Sequence, residues 1–475
     1  MIGPASVLSR PHFRALSDHQ TQAIHQAALR VLERTGVEVL HPEARRLLRD
    51  AGASIRDETR VSIPEFMVAD ALSAAPTKII LWDRNGDETI VLGGYKPHFG
   101  IMADNQDVFD PETGERRGMR AADIGRSARL ADALPNLHFV AEAGWAPDYP
   151  DTIADRICFR QVLSNTTKPL GFCCEDARAM EDILDMAALA VGGRKTLRAR
   201  PFLFHYAEPI SPLTHSEEAL GKLLLCAQEG IPVVYTPMPI AGATAPASFA
   251  GTLTQNVAEC LSGLVIAQLK RRGAPFIFGG IPGPLEMRTT IFPYGSPELQ
   301  LMVSALTDLA HYYDLPMFGT AGGSDSKTFD QQASMECFMS CFLAALSGAN
   351  LIHDVGFLDH CSVASYEMMT LADEVIGLIS HIMVGIDVDE EELAVDLIDR
   401  IGPGGNYLAE DHTMERFRDW WMPTLIDRSA EVPKEEITTL GERVRDKMQR
   451  IFEEHTPEPL PDGVIAELEH MQEQW

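Results

Sequence analysis

A chain of 475 residues, 45% of them apolar, can bury a large core, and an α/β barrel can absorb most of that length as one unit. With 40 Lys and Arg against 69 Asp and Glu the net charge is -29, which disfavours phosphate backbones and anionic membranes as partners. Such a surface favours cationic small molecules slightly, although solubility alone is the plainer reading.

The start, Met1-Ile2-Gly3-Pro4 onward, shows no basic region followed by an apolar run, so no signal peptide is expected and a cytoplasmic location is. From there to about residue 85 the pattern is helical. A helix is expected over Asp18–Arg34 with Gly36 as its stop, a second over Pro42–Ala51, and a third after Pro64. Residues 1–85 therefore read as a helical cap.

The middle of the chain has a rhythm. Short β-rich segments recur every 30 to 45 residues or so, with helical patterns between most of them. Strands are expected near His98–Met102, His138–Glu142, Leu170–Cys174, Pro201–Tyr206, Pro232–Thr236, Pro275–Gly279, Pro316–Gly319 and Asn350–Asp354. Eight strands alternating with helices predict an α/β fold, the parallel TIM (β/α)8 barrel, over residues 86–385.

Capping chemistry places several helices. Thr214 with Glu217 reads as a capping box before Leu220, Leu223 and Leu224, with Gly230 as the stop. Ser296 with Pro297 starts another, and Asp330 a third, whose apolar face is expected at Met335, Phe338, Met339, Phe342 and Leu346. The longest apolar run, Phe338 to Ile352, is broken by Ser and Gly and falls short of the roughly 18 residues a membrane span needs. Residues 386–475, acidic from Asp387 to Glu392, read as a helical extension packed on the barrel.

In such a barrel the active site forms at the carboxyl ends of the strands. The polar residues expected there are Asp104, Asn105, Glu142, Glu175, His205, Tyr206, Glu208, Tyr235, Ser324, Asp325, Lys327, His353 and Asp354. The segment from Gly319 to Lys327 holds Gly322 and Gly323 and runs into the helix capped by Asp330. A phosphate loop is one reading of it, but the GxxxxGK[ST] order is absent and acidic residues crowd it. The eight Cys follow no metal-site spacing and read as reduced thiols. Cys173-Cys174 read either as reactive thiols or as apolar filling at a strand end. His353-Asp354 with His360-Cys361 could hold zinc, but paired spacing is missing, so no metal is assigned. No GxSxG, HExxH or corrinoid-binding Asp-x-His-x-x-Gly run occurs.

Over nearly its full length the chain resembles the trimethylamine:corrinoid methyltransferase family. The matching stretches are Val31-Leu-Glu-Arg-Thr-Gly-Val37, Arg60-Val-Ser-Ile-Pro64, Asp110-Pro-Glu-Thr-Gly-Glu-Arg-Arg117 and Ala131-Asp-Ala-Leu-Pro-Asn136. They continue with Ala241-Gly-Ala-Thr-Ala-Pro246, Tyr294-Gly-Ser-Pro-Glu298, Gly319 through Asp330, Leu351-Ile-His-Asp-Val-Gly356 and Asp411-His-Thr-Met-Glu-Arg-Phe417.

The resemblance implies a TIM barrel. Founding members carry pyrrolysine, whereas this chain has standard residues only, so it is similar to the branch that includes glycine betaine methyltransferase. That branch implies transfer of a methyl group from a small quaternary amine to Co(I) of a corrinoid. The corrinoid is carried by a separate protein and none is bound by this chain alone. A quaternary ammonium leaves as a neutral amine, so the enzyme must orient it and exclude water.

On that reading His353 and Asp104 carry the chemistry: His353 donates to a substrate carboxylate and Asp104 faces the ammonium. Gln331, Gln332, Tyr206, His205, Tyr235 and Phe357 bind substrate, and Gly322, Gly323, Ser324 and Asp325 meet the cofactor. A homo-oligomer is expected. Two alternatives stand beside this: a non-catalytic quaternary-amine binder, and a methyltransferase for a non-amine donor.

Overall fold

The computed structural model describes residues 11–430, 433 and 437–475; the opening residues read for a signal peptide lie outside these. Eight strands close a barrel, each at the place expected: β1 (His98–Ile101), β2 (Phe139–Val140), β3 (Leu170–Phe172), β4 (Leu203–Ala207), β5 (Val233–Tyr235), β6 (Phe276–Gly279), β7 (Met317–Thr320) and β8 (Leu351–His353). All eight neighbouring pairs are parallel, and β8 closes the ring by pairing Leu351 with His98. Each strand is followed by a major helix: α1 (Ala121–Ala133), α2 (Asp151–Asn165), α3 (Ala177–Ala190), α4 (Glu217–Glu229), α5 (Phe249–Lys270), α6 (Pro297–Tyr312), α7 (Gln331–Ser347) and α8 (Tyr366–Val384).

Local chemistry sets the helix ends. Ser296 and Asp330 cap α6 and α7 as expected, with Pro297 in the first turn of α6. The cap of α4 is Ser216, which accepts from Ala219 N, and Thr214 lies in a short strand instead. A Ser immediately before the first helical residue is better placed to reach that N–H. The inner face of α7 also differs from expectation. It buries Ala333, Cys337, Cys341, Ala344 and Ala345, while Met335 and Phe338 are exposed at 65% and 39%. Small residues let this helix lie close to the sheet.

Strand alternation divides inside from outside. The barrel interior holds Met102, Phe139, Ala141, Phe204, Val234, Ile277, Phe318 and Leu351. Gly100 and Gly171 take the slots beside the large rings: a Cβ there would sit 2.6 Å from the Phe139 ring and 2.7 Å from that of Phe204. A hairpin formed by Ile79–Trp82 and Glu88–Leu92 joins this interior cluster through Ile79, Leu81, Ile90 and Leu92. Burying each such large side chain stabilises the fold by about 1.5–3 kcal/mol.

The segment before the barrel contains the three expected helices, Asp18–Arg30 with a π turn to Thr35, Pro42–Asp50 and Glu65–Ala74, and Gly36 stops the first at φ 74°. It also contains strands the helical reading missed. Val37–Val39, Ser54–Arg56 and Arg60–Ser62 form a sheet with Thr214–His215 from the β4–α4 connection, so this cap is fastened to the barrel by hydrogen bonds. After α8 the chain runs through short helices to Leu440–Glu454 and Asp462–Glu473. Arg129 on α1 donates to Phe452 O and His455 O, and Glu374 on α8 accepts from the backbone of Thr424, Leu425 and Ile426. Among the described residues no helix is long and apolar enough to cross a membrane.

Candidate active site

At the carboxyl end of the barrel the interior face turns polar. Phe204 points inward, so Tyr206 two residues on does the same, and its ring packs 5.6 Å from Phe318 and 6.2 Å from His353. The Tyr206 hydroxyl donates to Glu208 at 3.0 Å. Asp104, Cys173 and Glu208 are solvent-exposed although they stand at strand ends, so the mouth is open to solvent. The Cys361 thiol lies 3.7 Å from an oxygen of Asp104.

Below them His353 is almost fully buried, its ring tilted against that of Phe318 at 4.2 Å, with Nδ1 2.8 Å from the Gly319 carbonyl. Its Nε2 is 3.3 Å from a carboxyl oxygen of Asp354, which also accepts from the Thr320 hydroxyl. Burial pushes the Asp354 carboxyl up to about 8, with Asp104 adding to the rise, and brings the His353 ring down to about 4. Crowding by the surrounding mouth walls and the Asp104 charge likewise raise the Glu208 carboxyl, although Glu208 reaches solvent. Thr236, at the end of β5, faces the interior beside Gly279 and Phe318, and its fully buried hydroxyl has no partner.

The roof comes from two loops. Tyr294 precedes α6 and meets Phe357 edge-on at 4.9 Å. Its loop is held by Asp325, whose carboxylate accepts from Tyr294 N and Gly295 N at 2.8 Å each and from His360 Nδ1 at 2.8 Å. Asp359, His360 and Cys361 have φ of 53°, 58° and 64°. Three consecutive left-handed non-glycine residues cost about 1 kcal/mol or more each. The turn is tied down by Asp359 to Arg116 at 2.6 Å and to Lys327 at 2.7 Å.

The structure thus gathers Asp104, Tyr206, Glu208, His353 and Asp354 in the mouth, with Phe357 packed behind Tyr294. His205 and Tyr235 are not among them, because odd positions on β4 and β5 face the helices. His205 is fully buried with Nδ1 3.1 Å from Phe172 O, and the Tyr235 hydroxyl donates to His215 Nδ1 at 2.6 Å. Glu142 also faces outward, buried near Cys158 and Asp155.

Gly322, Gly323 and Ser324 are buried, and the backbone N–H groups of Gly322 and Ser324 donate inward, to Ser340 Oγ and Phe357 O. The glycines serve packing: a Cβ on Gly323 would lie 2.1 Å from the Phe357 ring. Gln331 and Gln332 are exposed at the start of α7, on the rim. Among the described residues no three His, Cys, Asp or Glu side chains are arranged to hold a metal ion. All eight cysteines are free; Cys174 is buried and Cys173 open.

Sequence reasoning missed Tyr294, Thr236 and Thr320 as mouth residues. The last two were legible from strand parity. Tyr294 sits in a long strand-to-helix loop, the element that carries function in this fold.

Barrel and mouth together define a TIM-barrel enzyme with an acidic, tyrosine-lined site. Residues 4–474 match the family model for trimethylamine methyltransferase (MTTB). The chain is 34% identical over 466 residues to trimethylamine methyltransferase MttB of Desulfitobacterium hafniense, covering 96% of this chain and 93% of that one. It is 32% identical over 471 residues to a glycine betaine methyltransferase of the same species, covering 97% and 96%. The solved Methanosarcina barkeri monomethylamine methyltransferase MtmB shares the fold at a TM-score of 0.52 and 12% identity, over 93% of this chain and 88% of that one. The chain belongs to the trimethylamine methyltransferase (MTTB) family, and it is a methyltransferase.

Proposed function

We propose that this enzyme takes a methyl group from a small quaternary amine, betaine-like amines included, and passes it to a corrinoid carried by a separate protein. The observation that carries the reading is the mouth itself: three carboxyls, Asp104, Glu208 and Asp354, with two tyrosines, Tyr206 and Tyr294, gathered at the open end of the barrel. Carboxylates and aromatic faces are what a desolvated ammonium needs. The relatives named for trimethylamine and glycine betaine support the same substrate class.

The open mouth suits a nucleophile delivered from outside. Gln331, Gln332 and Lys327 on its rim are the groups placed to meet the partner protein. The partner's reduced corrinoid supplies the nucleophile. This chain holds the ammonium so that one methyl points outward. When the C–N bond breaks, its electron pair stays on nitrogen and the amine leaves neutral, so no proton donor is called for. Phe204, Phe318 and the His353 ring keep the floor dry, and catalysis rests on orientation and water exclusion. His353 spends both ring nitrogens on Gly319 and Asp354, so its first role is to shape the floor.

The test mixes the purified chain with a corrinoid protein reduced to Co(I) and screens quaternary amines by cobalt absorbance. Appearance of the methylated corrinoid with one amine establishes the reaction. His353→Ala should abolish most of that signal, and an unaltered rate would remove His353 from the site. Failure of every quaternary amine with a competent corrinoid protein overturns the reading.

A further inference from the structure

In a regular strand the residue after His353 would point away from it. At Asp354 φ is 77°, and this left-handed turn brings the carboxyl back to the barrel side, within 3.3 Å of His353 Nε2 and onto the Thr320 hydroxyl. The protons can be placed from the partners. A carbonyl only accepts, so the Gly319 oxygen fixes the ring hydrogen on Nδ1 and leaves Nε2 a bare lone pair in the neutral imidazole. Two lone pairs facing at that distance repel. The contact therefore holds a proton, written either as Asp354 carboxylic acid donating to Nε2 or as carboxylate facing an imidazolium. Either way the pair is neutral.

The groups around this pair carry mostly one sign. Asp104 enters from the end of β1, Tyr206 and Glu208 from β4, Tyr294 from the loop before α6, and Cys361 from the turn after β8. Lys222 on α4 is the cation acting on Glu208, and its ammonium is committed to Cys174 O at 2.7 Å and Glu175 O at 3.2 Å. Lys327 is tied outward to Asp359. Across the floor Thr236 presents a buried hydroxyl that no other protein group engages.

We propose that the ammonium enters this mouth in exchange for the proton shared by Asp354 and His353. The cation arrives, the proton leaves to solvent, and the bound positive charge offsets the repulsion between ionised Asp354 and the bare Nε2 lone pair of neutral His353. This rests on the mouth being the ammonium site. The raised Asp354 carboxyl holds the proton at neutral pH, and the lowered His353 ring leaves it on the Asp354 side until the cation displaces it. Affinity for the cation should then climb by up to about 10-fold per pH unit below the Asp354 value and level off above it.

The probe is tetramethylammonium, titrated calorimetrically into the full chain alone at neutral pH. Running the titration in phosphate and in Tris, which differ in ionisation heat, gives the protons released. About one proton per cation bound is expected. Asp354→Asn should bind with equal heat in both buffers and a flat pH profile. Thr320→Val keeps Asp354 but removes a donor to its carboxylate, and should move the profile to higher pH. Binding without proton release overturns the exchange while leaving the ammonium site standing. Release that persists in Asp354→Asn overturns the assignment to this pair. No binding by the folded chain overturns the site reading and the exchange together.

Discussion

Tyr206 donates its hydroxyl to Glu208 at 3.0 Å, two residues further along the same strand end. Crowding by the mouth walls and the Asp104 charge push the Glu208 carboxyl up, and the Tyr206 donor offsets part of that by favouring the ionised form. Tyr206→Phe should weaken tetramethylammonium binding about 5-fold, the roughly 1 kcal/mol that one hydrogen bond typically contributes. Glu208→Gln should weaken it by about 10-fold, since it removes a counter-charge from beside the cation. Calorimetric titration of both variants decides it; unchanged affinity in Glu208→Gln would take Glu208 out of the site.

Most of the fold was legible in the sequence because parallel barrels repeat one signal, a short apolar run before a helical pattern. The site was legible only in part. Tyr206 and His353 lie in the mouth, whereas His205 and Tyr235 lie outside it, and the difference is one residue of parity. Asp354 breaks that parity through a left-handed turn that a sequence does not announce. Small residues on the inner face of α7 misled in the same way, since Met335 and Phe338 face outward while Phe342 and Leu346 pack at the edge of the core. Parity makes a clean prediction for Tyr235. Its hydroxyl serves His215, and His215 Nε2 in turn donates to Ser262 at 2.8 Å. Tyr235→Phe should cost about 1–3 kcal/mol in denaturant unfolding by leaving Nδ1 of His215 unpaired. Methyl transfer by the folded variant should be unchanged; a changed KM would place Tyr235 at the substrate after all.

Glu142 gives a pH dependence of known sign. It is buried, neither oxygen has a hydrogen-bond partner, and burial lifts its carboxyl to about 8. The folded chain keeps a proton that the unfolded chain releases near pH 4.3 or so. This group's contribution is therefore full below that pH and lost as pH rises through 8, at up to about 1.4 kcal/mol per unit. His98 and His138, brought down to about 4 and about 3 by burial, act with the opposite sign below their ordinary value. Above pH 7 the histidines drop out and Asp354 acts alongside Glu142, while Lys168, brought down to about 8 by burial, offsets part of their fall with the opposite sign. Urea unfolding from pH 7 to 8 should show falling stability, with a shallower slope in Glu142→Gln. An identical slope would mean that Glu142 is already ionised in the folded chain.

Asp325 contributes to the site through backbone rather than through substrate contact. Its carboxylate gathers Tyr294 N, Gly295 N and His360 Nδ1, each at 2.8 Å, and so fixes the loop that carries Tyr294 and the left-handed turn that carries Cys361. Without it, two N–H groups lose their acceptor and the strained turn loses one of its ties, which frees the roof of the mouth. Asp325→Ala should raise KM for the amine about 10-fold, with kcat reduced much less, because the loop can still close when substrate is bound. Asp325→Asn retains one carbonyl acceptor and should fall between the two. A fall in kcat at unchanged KM would instead make Asp325 a group acting in the transition state, and steady-state kinetics with the corrinoid protein in excess separates the two outcomes.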